Sequence, residues 1–154
     1  MKVEKVGALS FPSLEKQLSF SGLDSWTNFV QSVYDYKIHR YAVLENSNPV
    51  AAISLTEVKH PIFGHYLITA PFGSYGGFAY ESSEARNLLL NEVQRLAEQT
   101  KVEYVSIHHG EGASTPPDNW IQHPAYCTYL IDLPSTPDEL LKTFASDHRN
   151  HVRK

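Results

Sequence analysis

Three strand-like segments follow one another between residues 41 and 72, and each is bounded by turn-forming residues. They read YAVLE, PVAAISLTEV and HYLITAPF, with Asn46-Ser47-Asn48 between the first two and HPIFGH at the second junction. In the middle segment Ala51, Ile53 and Leu55 share one face, because alternate strand residues point the same way. Short connections join antiparallel neighbours. The region therefore predicts an antiparallel three-stranded meander.

Helical periodicity lies on both sides of this meander. Within residues 25–33 the apolar residues at helical spacing are Trp26, Phe29, Val30 and Val33. After the meander, Ser82 or Ser83 precedes a second helix that has Glu84 in its first turn, where the helix dipole favours acid. The apolar stripe of that helix consists of Ala85, Leu89, Val93, Leu96 and Ala97.

The last third of the chain predicts two strands and a helix. The strands read VEYVSIHH and AYCTYLIDL, and a loop from Gly110 to Gln122 separates them. Thr136-Pro137-Asp138-Glu139 is a capping box with proline at the first helical position, and the helix continues through residue 152. The predicted order is helix, three strands, helix, two strands and helix. It indicates an α/β (α+β) fold with a mixed, mostly antiparallel sheet flanked by helices.

Composition narrows the function classes. The 154 residues carry a net charge of −4. This argues against a general nucleic-acid or membrane-surface binder, because the binding surfaces of such proteins are basic. A single cysteine excludes an intrachain disulfide framework and fits a reducing compartment. The first residues lack the apolar core of a signal peptide, and no apolar run is long enough to span a bilayer. We therefore expect a cytoplasmic protein.

The glycine-rich stretch FGSYGGFA, residues 72–79, has two interpretations. Backbone amides before a helix can hold a pyrophosphate. However, FAYE separates Gly77 from Ser82, and neither the P-loop pattern nor the dinucleotide-binding pattern is present. The favoured alternative is a strand exit that needs positive φ or a close backbone approach. In either case Tyr75 is the tyrosine we expect on a concave surface.

The histidines do not predict a metal site. His108 and His109 are adjacent strand residues and point to opposite faces, and no pair has the spacing of a known metal motif. Cys127 lies in mid-strand and is expected to pack in the core.

Near the C-terminus, Arg149 and Arg153 project from one side of the last helix. They predict either an anion-binding role or a helix end whose cations complement the macrodipole.

Several motifs in this order resemble the N-terminal half of FemAB-like proteins of the GNAT-like acyltransferase superfamily. They are Pro71-Phe72 with Tyr75-Gly76-Gly77, then Asp132-Leu133-Pro134, then the element RNHVRK at residues 149–154. The similarity covers about residues 25–154. It implies a GNAT-like domain at residues 25–147, preceded by an N-terminal segment, 1–24, and followed by a helix end, 148–154, that leads into a second such domain.

The resemblance also implies a function. FemAB-like proteins transfer amino acids from aminoacyl-tRNA to peptidoglycan precursors, or act in polysaccharide and cell-envelope biosynthesis, and they bind the acceptor in a cleft between two domains. The acceptor here is expected to be a phosphorylated cell-wall or polysaccharide precursor. Tyr75, Gly76 and Gly77 are expected to line the cleft, with Arg149 and Arg153 near acceptor phosphates. Lys37 is similar to a lysine that contacts a nucleotide-linked acceptor.

The catalytic residues are not indicated, and the chain alone is expected to be inactive. No loop for the pyrophosphate of acetyl-CoA is present, so the expected donor is aminoacyl-tRNA or another acyl donor. Two alternatives stay open. One is a stand-alone, non-catalytic GNAT-like binding module, which forms a homodimer through a sheet edge. The other is a small acetyl-CoA-dependent N-acetyltransferase.

Overall fold

The structure, a computed structural model, describes residues 1–109, 115–123 and 131–152. The chain divides into two compact units, Met1–Gln122 and His123–Lys154. In the described part of the chain, no helix is long and apolar enough to cross a membrane.

The first unit is built on one sheet. Its strands are β1 (Lys2–Lys5), β2 (Lys37–Glu45), β3 (Asn48–His60), β4 (Gly64–Ile68), β5 (Phe78–Tyr80) and β6 (Tyr104–Ser106). The order across the sheet is β1-β2-β3-β4-β6, and β5 also pairs with β3. The pairings among these strands are antiparallel except that of β4 with β6.

Helices flank this sheet. They are α1 (Glu15–Gly22), α2 (Asp24–Tyr34) and α3 (Ser83–Thr100). The mixed, mostly antiparallel sheet flanked by helices that the sequence predicts is confirmed. The predicted meander is β2-β3-β4, and its first turn consists of Asn46 and Ser47, both with positive φ, as a tight two-residue hairpin requires. This is the architecture that the resemblance to GNAT-like domains implies.

One face of the sheet packs against α3. The Ser82 hydroxyl accepts a hydrogen bond from the Ala85 N–H at 3.2 Å, which confirms the predicted start of this helix. Leu89 and Val93 are fully buried, as the apolar stripe predicts. The strand residues of this core are Tyr41, Val43, Ala51, Ile53, Leu55, Leu67 and Phe78. Burial of these apolar side chains is the main contribution of this core to stability.

The other face carries a polar network as well as an apolar cluster. Leu9, Leu14 and Leu18 pack with the small residues Ala52 and Ala79. Beside this cluster, the buried Arg40 guanidinium pairs with Asp24, with Nε and Oδ1 2.9 Å apart but not aligned as a hydrogen bond.

The same guanidinium donates hydrogen bonds to Thr27 Oγ1 at 2.8 Å and Asn28 Oδ1 at 2.6 Å. Asp24 also accepts from the Leu9 N–H at 2.7 Å. The network therefore joins the N-terminal segment, α2 and β2.

The N-terminal segment contributes secondary structure to the first unit. Residues 1–24 supply β1 and α1 to the first unit, and β1 pairs with β2 over four residues. The sequence does not reveal them, because β1 is short and is held by partners about forty residues away. β5 is likewise too short, at three residues, to be recognised from its own periodicity.

The second unit contains α4 (Pro137–Thr143) and α5 (Ser146–Val152). The capping box at Thr136 and Glu139 is confirmed in both directions. The prediction of one continuous last helix is wrong, because Phe144 adopts extended backbone, with φ −76° and ψ 150°. Most of the predicted strand AYCTYLIDL, including Cys127, lies outside the described residues.

Candidate functional site

The glycine-rich stretch is an excursion from a strand. Ile68, the last residue of β4, pairs with Thr56, and Phe78, the first residue of β5, pairs with Ile53. Both strands thus run antiparallel to β3. Nine residues, 69–77, separate the end of β4 from the start of β5, whereas only Ser54 and Leu55 separate their partners on β3. We call residues 69–77 the glycine excursion. It interrupts a strand that would otherwise continue along β3.

Backbone contacts fix the end of the glycine excursion. Gly76 and Gly77 have φ of +126° and +72° and are buried. The Gly76 N–H donates to the His108 carbonyl at 3.0 Å, and the Gly77 N–H donates to the Leu18 carbonyl at 2.9 Å. Because both amides already have carbonyl acceptors, they are not free to hold a phosphate. The strand-exit interpretation fits these contacts, and substrate binding by the two glycines stays a prediction.

Tyr75 is held against a kink in α1. The Ser19 and Ser21 hydroxyls both donate to the Tyr75 carbonyl, the first at 3.2 Å. Ser19 has φ 58° and ψ 168°, in a region that residues with a Cβ rarely adopt. Within the excursion Ala70 and Phe72 also have positive φ. Strained backbone of this kind persists only where surrounding contacts enforce it, and it concentrates at binding and catalytic sites.

Exposed and half-buried aromatic rings lie on α1, on α2 and within the excursion. We call these rings the aromatic surface; its members are Phe20, Trp26, Phe29, Tyr34 and Phe72. Ring centroids are 5.1 Å apart for Phe20 and Trp26, 5.6 Å for Trp26 and Phe29, and 4.8 Å for Tyr34 and Phe72. The indole N–H of Trp26 donates to the Pro71 carbonyl at 2.9 Å, which ties α2 to the excursion.

The aromatic surface was missed at the level of sequence. Helical spacing groups Phe29 and Val33 with Val30, but only Val30 is buried, while Phe29 is 52% and Val33 56% exposed. The residue that could have revealed this orientation is Thr27. It lies on the buried side of α2 with Val30, where its hydroxyl accepts a hydrogen bond from Arg40. Clustered exposed aromatic rings on a folded domain are typical of binding surfaces.

Lys37 belongs to a different group of side chains. It is the first residue of β2, two-thirds exposed, with its Nζ 3.7 Å from Glu57 Oε2 on β3. His39 Nε2 lies 2.7 Å from Oε2 of the same carboxylate, and His65 Nε2 lies 3.0 Å from Oε1. We call these four residues the Glu57 cluster. Strand alternation places Lys37 and His39 on the face of Tyr41, which packs against α3, whereas the excursion contacts α1.

Protonation within the Glu57 cluster follows from burial and hydrogen bonding. Burial lowers the pKa of the His39 imidazole, against the opposing influence of Glu57. Burial alone would raise the pKa of the Glu57 carboxyl, but the hydrogen bonds with His39 and His65 and the nearby positive charges outweigh it and lower the pKa. At neutral pH Glu57 is therefore ionised and His39 neutral, so the Nε2 of His39 carries the proton that it donates to Glu57.

The C-terminal cations lie in the second unit. Arg149 is a half-buried residue of α5, and its Nη1 lies 3.5 Å from the Lys142 carbonyl. Arg153 lies outside the described residues. Substrate binding by Lys37, Tyr75, Arg149 and Arg153 stays a prediction. Among the described residues no group of three His, Cys, Asp or Glu side chains is arranged to hold a metal ion.

Comparison with known proteins gives a distant likeness among solved structures. No protein-family model matches the chain, and no curated protein matches it. Among solved structures, the chain is similar to the crystal structure of a probable acetyltransferase, with 13% identity and a TM-score of 0.49. The match covers 88% of this chain and 100% of that chain. At this identity and score, the likeness does not bear on activity.

Proposed function

We propose that the chain is the N-terminal domain of a FemAB-like N-acyl or aminoacyl transferase, and that it forms one wall of an acceptor cleft. The observation that carries the proposal is the order of its motifs along the chain, the first of which lie in the mixed sheet's unit. Pro71-Phe72 and Tyr75-Gly76-Gly77 come first, within the glycine excursion, and the Asp-Leu-Pro and Arg-Asn elements follow. The family motif thus coincides with the interruption in the pairing along β3.

The glycine excursion and the aromatic surface have properties that an acceptor-binding surface needs. Acyl transfer to an amine depends chiefly on holding the two reactants in position and on stabilising the oxyanion that develops. The excursion is held by backbone hydrogen bonds to two other segments, the Leu18 and His108 carbonyls. The exposed ring of Phe72, within the excursion, and that of Tyr34, against which it packs, provide apolar area for an acceptor. Arg149 and Arg153 are proposed to bind acceptor phosphates, as the resemblance implies, and Lys37, which lies on the α3 face, is proposed as a separate acceptor contact.

The partners follow from the same proposal. The acceptor is a phosphorylated cell-wall or polysaccharide precursor in the cytoplasm, and the donor is aminoacyl-tRNA or another acyl donor. Acetyl-CoA is not favoured, since the Gly76 and Gly77 amides, the best local candidates for its pyrophosphate, are bonded to carbonyls.

Calorimetric titration of the chain with a nucleotide-linked peptidoglycan precursor tests the proposal. We expect saturable binding that Phe72→Ala weakens about tenfold, because truncation of a central aromatic anchor typically costs more than 1 kcal/mol. Phe63→Ala is the matched control. Phe63 is also an exposed phenylalanine, but it lies in the β3–β4 turn next to His60. Equal loss of affinity in the two variants, or no binding by the parent chain, would overturn the proposal.

A second candidate is a non-catalytic binding module that associates with another copy of itself. The exposure of Phe20, Phe29 and Phe72 favours this alternative, since a dimer would cover such rings. Sedimentation equilibrium distinguishes the two. A dimer that Phe29→Ser dissociates and Phe63→Ser leaves intact would support the module, whereas a monomer at high concentration would exclude it.

A further inference from the structure

A surface depression lies beside the turn between β3 and β4, away from the glycine excursion. His65 is one of its walls, and its side chain is 20% exposed. The depression is lined by Lys59, His60, Pro61, Gly64, His65 and Glu103. An imidazole that is partly exposed at such a place is accessible to small molecules while its other side stays packed.

The packed side of His65 contacts the Glu57 carboxylate. Its Nε2 lies 3.0 Å from Glu57 Oε1, and the other carboxylate oxygen is engaged by the buried His39 at 2.7 Å. Since Glu57 is ionised and can only accept, the proton on His65 lies on Nε2 and the lone pair on Nδ1. In the described part of the chain Nδ1 of His65 has no hydrogen-bond partner. Its lone pair is therefore available for reaction.

We propose that His65 is a nucleophilic imidazole that Glu57 activates, and that it accepts acyl groups from activated esters. The Nδ1 lone pair forms a bond to the acyl carbon, and the C–O bond breaks so that the alkoxide or phenolate leaves with its electron pair. The positive charge that develops on the ring is stabilised through Nε2–H by the Glu57 carboxylate. Water then attacks the acyl carbon, and the C–N bond breaks with its electron pair returning to Nδ1; this releases the carboxylic acid and the neutral imidazole, and the proton set free neutralises the alkoxide or phenolate.

Two neighbours have defined roles in this arrangement. His39 is a positioning residue, because its hydrogen bond to Oε2 orients the carboxylate without reaching the depression. Lys37 places a cation 3.7 Å from the same oxygen, at the exposed edge of the cluster. The site lies on the α3 face of the sheet, so it does not depend on the glycine excursion or the aromatic surface forming an acceptor wall.

His60 provides an internal control within the same depression. Its Nδ1 accepts hydrogen bonds from the Ile62 and Phe63 N–H groups at 3.1 and 3.3 Å. That lone pair is already engaged, and no carboxylate among the described residues contacts the ring of His60. If exposure alone made a histidine reactive, His60 and His65 would behave alike.

The experiment measures release of p-nitrophenolate from p-nitrophenyl acetate by the whole chain at pH 7.5. We expect His65→Gln to lower the protein-dependent rate about tenfold or more, which is below the roughly 10²–10⁴-fold that positioned acid–base groups contribute in enzymes. Glu57→Gln should lower it several-fold while His65 remains, and His60→Gln should leave it within about a factor of two. Circular dichroism and thermal unfolding verify that each variant is folded.

A second readout does not depend on the rate. The ¹⁵N chemical shifts of the His65 ring report which nitrogen carries the proton, and we expect the Nε2–H form in the parent chain. A ring protonated on Nδ1 would overturn the proposal, as would equal reactivity of the His60→Gln and His65→Gln variants. A mass increase of one acetyl group that persists in His65→Gln would equally exclude His65 as the acyl acceptor.

Discussion

The two faces of the sheet are stabilised in different ways. On one face α3 covers an apolar core in which Leu89, Val93 and Leu55 are fully buried. On the other, α1 and α2 are shorter, and the buried Arg40–Asp24 pair lies among their contacts. The same face presents the aromatic surface and the strained Ser19 and Phe72. The comparison separates a face whose core is stabilised mainly by apolar burial, beside the Glu57 cluster, from a face that combines a buried ion pair with exposed aromatic rings.

Breaking the polar network gives the largest expected effect. Arg40→Ala leaves Asp24 half-buried without its cation and removes the donors to Thr27 and Asn28. We expect the free energy of unfolding to fall by about 3–5 kcal/mol, as for other broken buried pairs. Chemical denaturation measures the change. A loss below about 1 kcal/mol would show that the pair behaves as a surface salt bridge.

A cavity on the apolar face should have a similar or slightly smaller effect. Leu89→Ala removes a fully buried side chain from the α3 core. The expected loss in the free energy of unfolding is about 2–5 kcal/mol, from lost burial and from the cavity left behind. The same denaturation measurement tests it, and Leu88→Ala, at a partly buried position on α3, should cost clearly less.

The strained excursion tests whether backbone conformation matters independently of side chains. Gly76→Ala places a Cβ at φ +126° and against the Leu18 carbonyl. We expect a loss of about 1–3 kcal/mol, the usual magnitude for residues forced into such conformations. Gly7→Ala is the matched control, because no atom lies within 4 Å of its added Cβ. Thermal unfolding of the two variants side by side measures the difference.

The exposed rings should contribute little to stability. Phe29→Ala and Val30→Ala change adjacent residues of α2, one 52% exposed and the other fully buried. We expect Phe29→Ala to change the free energy of unfolding by no more than about 0.5 kcal/mol. Val30→Ala should cost more, since it leaves a cavity. Equal losses in the two variants would mean that the aromatic surface is part of the core.

The pH dependence of stability sharpens the comparison further. The pKa of His39 is lowered on folding, mainly by burial, from an ordinary value of 6.5. The unfolded chain therefore binds this proton more readily, and stability is lost as the pH falls from 6.5 through the folded-state pKa. The lowered pKa of Glu57 extends the loss below its ordinary value of 4.5. His39→Gln should make the unfolding midpoint depend less on pH near pH 6. An unchanged pH dependence would contradict the assignment of this loss of stability to His39.

Local chemistry made much of the fold predictable. The tight turn at Asn46 and Ser47, the Ser82 cap of α3 and the capping box at Thr136 each depend on residues within a few positions of one another. The apolar stripe of α3 depends only on helical spacing. The meander followed by a crossover helix then limits the topology, so the fold class could be inferred without coordinates.

The candidate sites required contacts that no local pattern encodes. His39, Glu57 and His65 meet because the registers of β2 with β3 and of β3 with β4 align them on one face. Phe29 faces solvent because α2 turns Thr27 toward the sheet, where its hydroxyl accepts a buried hydrogen bond from Arg40. The sequence by itself thus determined the elements, since these depend on near neighbours. Only the tertiary structure decided which side chains share a site, because register and packing join residues that are far apart along the chain.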